Sequence, residues 1–358
     1  MESLKLLLIS PRYHPHVGGV EYVVKSIAER LARRGHEVVV LAGELNADEH
    51  FEEEVDGVRV VRWPIWSPGE AYHIPRRRGK LEALLGELSR DVDVIHVHSV
   101  HSVFSMLSLR FVKRKASKII VTPYYHGTGH TIFRRLLWSY WRPYVRRLLK
   151  DSIVHTVSRL EANLVERDFS CKTVTIENGV EEWLRFVKWD PEGYVMYSGR
   201  LEKYKNIHVL AQIVNILNKQ YDLNLKFKVF GRGPYRVDLE KFLKTIGVEY
   251  ELSDFKPYRE YIDTLSRANL LGLLSEREAY PQSVNEANAI GVPVVIAKPW
   301  GFNFEGRSRT LIVDPRLPVH VIASRVYDLL TKTPLEGVSR VSTWDEVVET
   351  YIAKLYGA

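Results

Sequence analysis

Twice along its 358 residues the chain runs through one rhythm: a short apolar segment, a loop, then a stretch of helical period. The first half opens on an apolar run, Leu4–Ser10, followed by P-R-Y-H-P-H-V-G-G. Val20, Val23, Val24, Ile27, Ala28, Leu31 and Ala32 then fall on one face of a helix that Gly35 stops. E-V-V-V-L-A, D-V-I-H-V-H and K-I-I-V-T-P read as further strands. The second half repeats the scheme. Strands are expected at Y-V-M-Y-S-G, L-K-F-K-V-F-G, Asn269–Ser275 and P-V-V-I-A. Helices are expected near Ile207–Leu217, Tyr235–Leu243, Arg259–Ala268 and Ser283–Ile290. Short apolar strands alternating with amphipathic helices imply parallel sheets covered on both faces. Residues 178–193 show no clear period, and Asp190-Pro191 breaks any helix, so the hinge is expected there. The expected architecture is α/β: two doubly wound domains facing each other across a cleft, with ligands beyond the carboxyl ends of the strands.

The length exceeds what one hydrophobic core usually organises, which agrees with two domains. The opening M-E-S-L-K-L-L-L-I-S lacks a basic leader and a cleavage site, so no signal peptide is expected. No apolar run is long enough to span a bilayer. A single cysteine, Cys171, excludes an internal disulfide and favours a reducing, cytoplasmic setting. Only three Gln and three Met beside many charges hint at a thermophilic source. The net charge of +7 is uneven. Residues 1–180 hold 27 Lys/Arg against 21 Asp/Glu, and the remainder 24 against 23, a split of +6 and +1. A basic first half suits an anionic partner such as phosphate or a lipid surface; the alternative is a solvated surface with a modest bias.

Chemistry is expected in the loops. Gly18-Gly19 joins the first strand to the first helix, where bare backbone can approach an anion, although a plain turn reads the same way. In S-G-R-L-E-K-Y-K-N, Arg200 and Lys205 lie on one loop beyond a strand end and could hold a diphosphate together; otherwise the loop is simply solvated. In E-A-Y-P-Q-S-V-N-E, Glu278 and Glu286 flank a helix start that includes Gln282 and Ser283. Carboxylates on either side of a phosphate site suit hydrogen bonds from sugar and ribose hydroxyls. The competing reading is a capping box, Ser283 with Glu286.

His96, His98, His101, His126 and His130 lack a cysteine or paired carboxylate at a zinc-like spacing, so no metal is expected. His126, just after a strand end, suits a sugar contact or acid–base role. Residues 133–150, F-R-R-L-L-W-S-Y-W-R-P-Y-V-R-R-L-L-K, read as a basic, aromatic helix pair suited to lipid headgroups, or as a packed helix with snorkelling arginines.

In this order, the loops resemble the family-four retaining glycosyltransferases of the GT-B fold. The resemblance runs through P-H-V-G-G-V-E, R-R-G-H-E-V-V-V, D-V-I-H-V-H, V-T-P-Y-Y-H-G and H-T-V-S-R-L-E. It continues through I-E-N-G-V, G-R-L-E-K-Y-K-N, V-F-G-R-G-P, E-x7-E, G-V-P-V-V and S-T-W-D-E-V-V-E-T-Y. It implies an acceptor domain over 1–180, a nucleotide-sugar domain over 193–340, and a last helix over 343–358 that packs back on the first domain. Arg200 and Lys205 would hold the donor diphosphate, with Gly18-Gly19 alongside. Glu278 would bind hydroxyls of the donor sugar, Glu286 the ribose, and His126 the sugar near its reacting carbon. The chain departs from the family pattern at Ala279-Tyr280-Pro281, at Glu177 before N-G-V, and at Leu274.

The resemblance implies transfer of a sugar from a UDP- or GDP-sugar to a saccharide or lipid-linked acceptor. The configuration would be retained by same-face attack, without a metal. Partners would include the nucleotide sugar and an anionic membrane contacted peripherally from the cytoplasmic face, with no nucleic acid. Two alternatives stay open: a nucleotide-sugar 2-epimerase of the same plan, and a non-catalytic two-domain sugar-binding protein.

Overall fold

The protein is described from a computed structural model, which covers residues 3–68, 72–113, 118–127, 132–332 and 339–357. Two compact units emerge, Met1–Gly179 with Ser342–Ala358, and Val180–Val341.

In the first unit the strands are β1 (Lys5–Ser10), β2 (Glu37–Glu44), β3 (Phe51–Val55), β4 (Val58–Trp66), β5 (Ile74–Pro75), β6 (Val94–His98), β7 (Lys118–Thr122), β8 (Ile153–Thr156) and β9 (Thr173–Thr175). They form one sheet in the order β3-β4-β2-β1-β6-β7-β8-β9, with β5 off β4. All pairs are parallel except those of β3 and β5 with β4. Between them run α1 (Gly19–Arg33), α2 (Arg78–Leu88), α3 (Val103–Val112), α4 (Ile132–Leu149) and α5 (Arg159–Phe169).

Alternation along β1 divides the core. Leu7 and Ile9 join Ile95, Val97 and Val121 under α2–α5. Leu6 and Leu8 join Val38, Val40 and Val94 under α1 and the C-terminal segment. β1 is thus apolar on both faces, as a strand of a parallel sheet between two helical layers requires. That C-terminal segment, α11 in chain order (Trp344–Tyr351), runs into a π-helical turn at Ile352–Tyr356 and packs on α1, with Trp344, Tyr351 and Tyr356 buried.

In the second unit β10 (Tyr194–Ser198), β11 (Lys226–Phe230), β12 (Tyr250–Ser253), β13 (Leu270–Leu273), β14 (Val294–Ala297) and β15 (Thr310–Val313) form an all-parallel sheet in the order β12-β11-β10-β13-β14-β15. The helices α6 (Ile207–Tyr221), α7 (Arg236–Ile246), α8 (Tyr258–Ser266), α9 (Gln282–Ile290) and α10 (Val319–Lys332) cover it. Strand order reverses between β1 and β6 in one sheet and between β10 and β13 in the other. Ligands of open α/β sheets bind at such reversals, beyond the carboxyl ends of the strands.

Several expectations need correction. The 133–150 segment is one continuous helix with Pro143 inside it, not a helix pair. A proline within a helix removes one backbone hydrogen bond; the turns on both sides are held by buried Trp138, Val145 and Leu149. The 269–275 strand is shorter, Leu270–Leu273; at its start the Asn269 side chain accepts from the amides of Gly193 and Tyr194. The β3–β4 hairpin was not anticipated; Asp56 (φ 51°) and Gly57 (φ 79°) form the two-residue turn that such hairpins favour.

His96, His98 and His155 are fully buried beneath the C-terminal segment. His155 Nε2 faces the carbonyl of Ile176 at 3.0 Å and must donate to it. Its Nδ1 therefore accepts from Thr122, which leaves the Thr122 oxygen to accept from His96 Nε2 and His96 Nδ1 to accept from Tyr356. The chain of bonds needs both imidazoles neutral. Burial pushes the His155 pKa down to about 4 from its ordinary 6.5, and His98 likewise to about 3. His155 thus contributes stability that is complete above pH 6.5 and lost as pH falls toward 4. Between pH 7 and 5 the loss from this one group is ~2 kcal/mol. Urea unfolding at the two pH values should show it, and His155→Gln should flatten the acid limb by that amount.

Candidate active site

The loop from β10 to α6 is fixed by backbone packing against the loop from β11 to α7. Gly231 (φ 154°) lies so close to the carbonyl of Gly199 that any Cβ there would collide with backbone. Leu201 N donates to Arg232 O at 2.9 Å, and Tyr235 N to Leu201 O at 3.0 Å. The G-R-G-P sequence is therefore needed for loop-to-loop contact. Arg200 projects from this loop, half-exposed, and pairs with Glu202 at 3.1 Å.

Five residues on, Lys205 ends a short 3-10 turn (Lys203–Lys205), and its ammonium lies 2.5 Å from Glu278 Oε1. Their side chains are only 12% and 18% exposed. Burial pulls the Lys205 pKa down, but the Glu278 carboxylate and Tyr204 outweigh it, so the group sits above the ordinary lysine value and stays charged. Glu276 N donates to Tyr204 O at 3.0 Å, which ties the β13 loop to the same turn. Lys205 and Glu278 thus stand on the two loops that leave β10 and β13, where strand order reverses.

At the start of α9, Pro281 is the residue before the helix, Gln282 and Ser283 are its first two, and Glu286 lies one turn in. Glu286 is buried at 3% exposure and accepts from Tyr258 (3.0 Å) and Tyr261 (2.9 Å), both on α8, and from Gln282. Burial raises its pKa to about 7, against the pull of those three donors. The capping box of Ser283 with Glu286 does not form, because Ser283 is inside the helix and the Glu286 carboxylate is turned onto α8. A capping box does form between Thr343 and Glu346, at the start of α11.

In the first unit Gly18 precedes α1, and a Cβ there would strike the Glu21 carboxylate, which Arg12 holds at 3.2 Å; Gly19 faces open space. Gly18 thus lies directly against the Glu21 carboxylate, and Gly19 leaves the helix start accessible. His126, half-buried after β7, stacks on His101 with ring centroids 4.6 Å apart and 14° between planes. His101 also lies 4.8 Å from the Trp138 ring, and burial with His126 beside it holds its pKa well below the usual range. Glu161 on α5 anchors this loop, accepting from Tyr125 N at 2.6 Å and Val157 N at 2.8 Å. His130 lies outside the described residues. Among the described residues no group of three or more His, Cys, Asp or Glu is placed to hold a metal ion.

Two family models divide the chain between them. Glycosyltransferase Family 4 matches residues 17–183, and Glycosyl transferases group 1 matches residues 180–331. The chain belongs to the family-four, group 1 glycosyltransferases. Among its relatives is a GDP-mannose-dependent alpha-mannosyltransferase of Mycolicibacterium smegmatis, 26% identical over 82% of this chain and 79% of that one. The GDP-mannose:cellobiosyl-diphosphopolyprenol alpha-mannosyltransferase of Komagataeibacter xylinus is also 26% identical, over 82% and 76%. The fold matches that of HepE from Anabaena, solved in complex with UDP and glucose, at a TM-score of 0.70 and 16% identity, over 99% of this chain and 100% of that one. The fold of this glycosyltransferase is GT-B.

The structure brings Lys205 to Glu278, and Gln282 to Glu286. Arg200 shares the Lys205 loop but is paired with Glu202. Gly18, Gly19 and His126 belong to the first unit. Residues that sequence reasoning passed over include Glu161, Tyr258 and Tyr261. Glu161 stood in the quoted S-R-L-E, and its spacing from Ser158 signals a helix start. The tyrosines gave no signal, since only folding brings α8 against α9.

The glycosyltransferase should not tolerate a side chain at position 231. Gly231→Ala must push two backbones apart and is expected to cost about 2–4 kcal/mol, read as a lowered urea midpoint.

Proposed function

We propose that this glycosyltransferase moves a hexose from a nucleoside-diphosphate sugar to an acceptor, with retained anomeric configuration and without a metal ion. The observation that carries the reading is the Lys205–Glu278 pair beside Arg200 at the strand-order reversal of the second sheet. A charged, half-sequestered ammonium held by a carboxylate can turn onto a diphosphate while that carboxylate takes hydroxyls of the sugar. Arg200, on the same loop, adds a planar fork for phosphate oxygens. Gln282, Ser283 and the start of α9 add donors and a favourable dipole. Glu286 then takes the ribose, and the first unit, which carries Gly18, Gly19 and His126, binds the acceptor.

In the reaction the C1–O bond to the diphosphate breaks, and the acceptor oxygen bonds to C1 on the same face. The acceptor proton passes to the departing phosphate oxygen, so no separate base is needed. Negative charge grows on the diphosphate, and Lys205 and Arg200 oppose it, as preorganised donors do in other transfer reactions. Two relatives named for GDP-mannose make that sugar the first donor to test, and UDP-hexoses the second. Lys205→Ala is expected to lower kcat/KM about 100- to 1,000-fold, measured by release of nucleoside diphosphate. Near-normal turnover in that variant would refute the diphosphate role.

We further propose a lipid-linked acceptor reached by peripheral contact with an anionic membrane. No described helix is long and apolar enough to cross a bilayer. Helix α4 instead exposes Leu136, Leu137 and Tyr140, the last at 84%, among Arg142, Arg146 and Arg147, with no acidic residue along its length. An apolar strip bordered by arginine suits the headgroup boundary. The protein should co-sediment with phosphatidylserine-containing liposomes at low salt, and Tyr140→Ala combined with Arg146→Glu should reduce the bound fraction several-fold. Failure of the unaltered protein to sediment under those conditions would remove this part of the reading.

A further inference from the structure

A carboxylate offers about four lone-pair positions for hydrogen bonds. On Glu286 three donors already converge: Tyr258 on Oε1 at 3.0 Å, Tyr261 on Oε2 at 2.9 Å, and the Gln282 amide. At 3% exposure the carboxylate has little room for more. A ribose presents two neighbouring hydroxyls, and both must donate if Glu286 is to grip the diol. Three donors and two make five, one more than the group accepts, so at least one present partner must leave.

Which partner leaves follows from the anchoring. Gln282 is on α9 itself, four residues before Glu286 and one helical turn away, and moves only with the helix. Tyr258 and Tyr261 reach in from α8, three residues apart on one face, and both are only half-buried. The Tyr258 ring meets the edge of Trp183 at 6.0 Å and the Tyr261 ring at 6.1 Å, contacts that a swing of the ring can trade.

We propose that Tyr258 and Tyr261 set nucleotide affinity and ribose selectivity by occupying, with their hydroxyls, the acceptor positions that a vicinal diol must claim. The proposal rests on Glu286 as the ribose acceptor. Binding of nucleotide exchanges one or both tyrosine hydrogen bonds for ligand ones, so the gain from a ribose is the difference between two similar bonds. A ligand that lacks the diol leaves the tyrosines where they are. A carboxylate with no tyrosine on it would hold ribonucleotides more tightly and discriminate more sharply against dideoxynucleotides.

Calorimetric titration with GDP and 2′,3′-dideoxy-GDP, and with the corresponding uridine pair, tests this in the unaltered protein, Tyr258→Phe, Tyr261→Phe and the double variant. At about pH 8.5 Glu286 is ionised. In at least one single variant and in the double variant, the ribonucleotide should bind about tenfold more tightly, and the dideoxynucleotide should be unchanged within about twofold. If the unaltered protein prefers ribonucleotide but no variant gains affinity, the tyrosines do not compete and the proposal falls, while Glu286 keeps its ribose role. If the unaltered protein binds ribo- and dideoxynucleotides equally, or neither pair at all, the ribose role fails and takes the proposal with it. Should the variants not fold, nitration of the unaltered protein by tetranitromethane decides. Modification of Tyr258 or Tyr261, mapped by mass spectrometry, should rise with GDP or UDP and not with the dideoxy forms. No rise with a ribonucleotide that binds would overturn the proposal.

Discussion

The second unit depends on one polar contact, the Lys205 ammonium on the Glu278 carboxylate. It joins the loops that leave β10 and β13, the strands on either side of the order reversal. A pair this sheltered is weak as a source of stability, because desolvation of both charges offsets most of their attraction. Its value is that neither charge is lost. Without Glu278, burial would drive Lys205 toward its neutral form; with it, the lysine remains a cation in a partly dry site. The contact also ties loop geometry to charge, since Glu276 N on Tyr204 O and Trp300 Nε1 on Glu276 O set the carboxylate's loop against the lysine's.

The first unit uses a carboxylate differently. Glu161 takes two backbone amides, from Tyr125 and Val157, and so joins the loops after β7 and β8. Its pKa, like that of Glu286, is pushed up to about 7 by burial despite the bonds it receives. Both groups contribute stability that is whole below about pH 4.5 and is lost as pH rises through 7. Their ordinary values are 4.5 and their folded values higher, so ionisation in the fold is uphill. The buried histidines have the opposite sign, so between about pH 4.5 and 6.5 the two dependences oppose each other and partly cancel.

What was legible in the sequence follows from which signals are local. Period and alternation belong to neighbouring residues, so β1, α1, β6, β7, β10 and α6 could be placed, and Gly35 marked a helix end. Which loops gather at the strand ends was legible too, because a parallel sheet dictates it. The Asp56-Gly57 turn and the Thr343–Glu346 box were equally local and could have been found. Long-range partnerships could not. The His96–Thr122–His155 chain needs three strands in register, and Glu286 needs α8 laid on α9. For that reason the Ser283–Glu286 spacing misled: a capping box is the local optimum, and tertiary hydrogen bonds from two tyrosines outcompeted it.

The same competition explains how the Glu286 carboxylate can be kept in so buried a place. An unpartnered carboxylate at 3% exposure would be strongly unfavourable, and the protein would neutralise it or expose it. Internal donors remove that difficulty, yet every donor that makes the buried charge tolerable also occupies a position a ligand could use. On the proposal that Glu286 takes a ribose, binding is by substitution, and selectivity comes from how well a ligand's hydroxyls reproduce the donors they displace. On that proposal, the half-buried placement of Tyr258 and Tyr261, against the full burial of Glu286 itself, puts the replaceable partners on the more exposed side of the exchange.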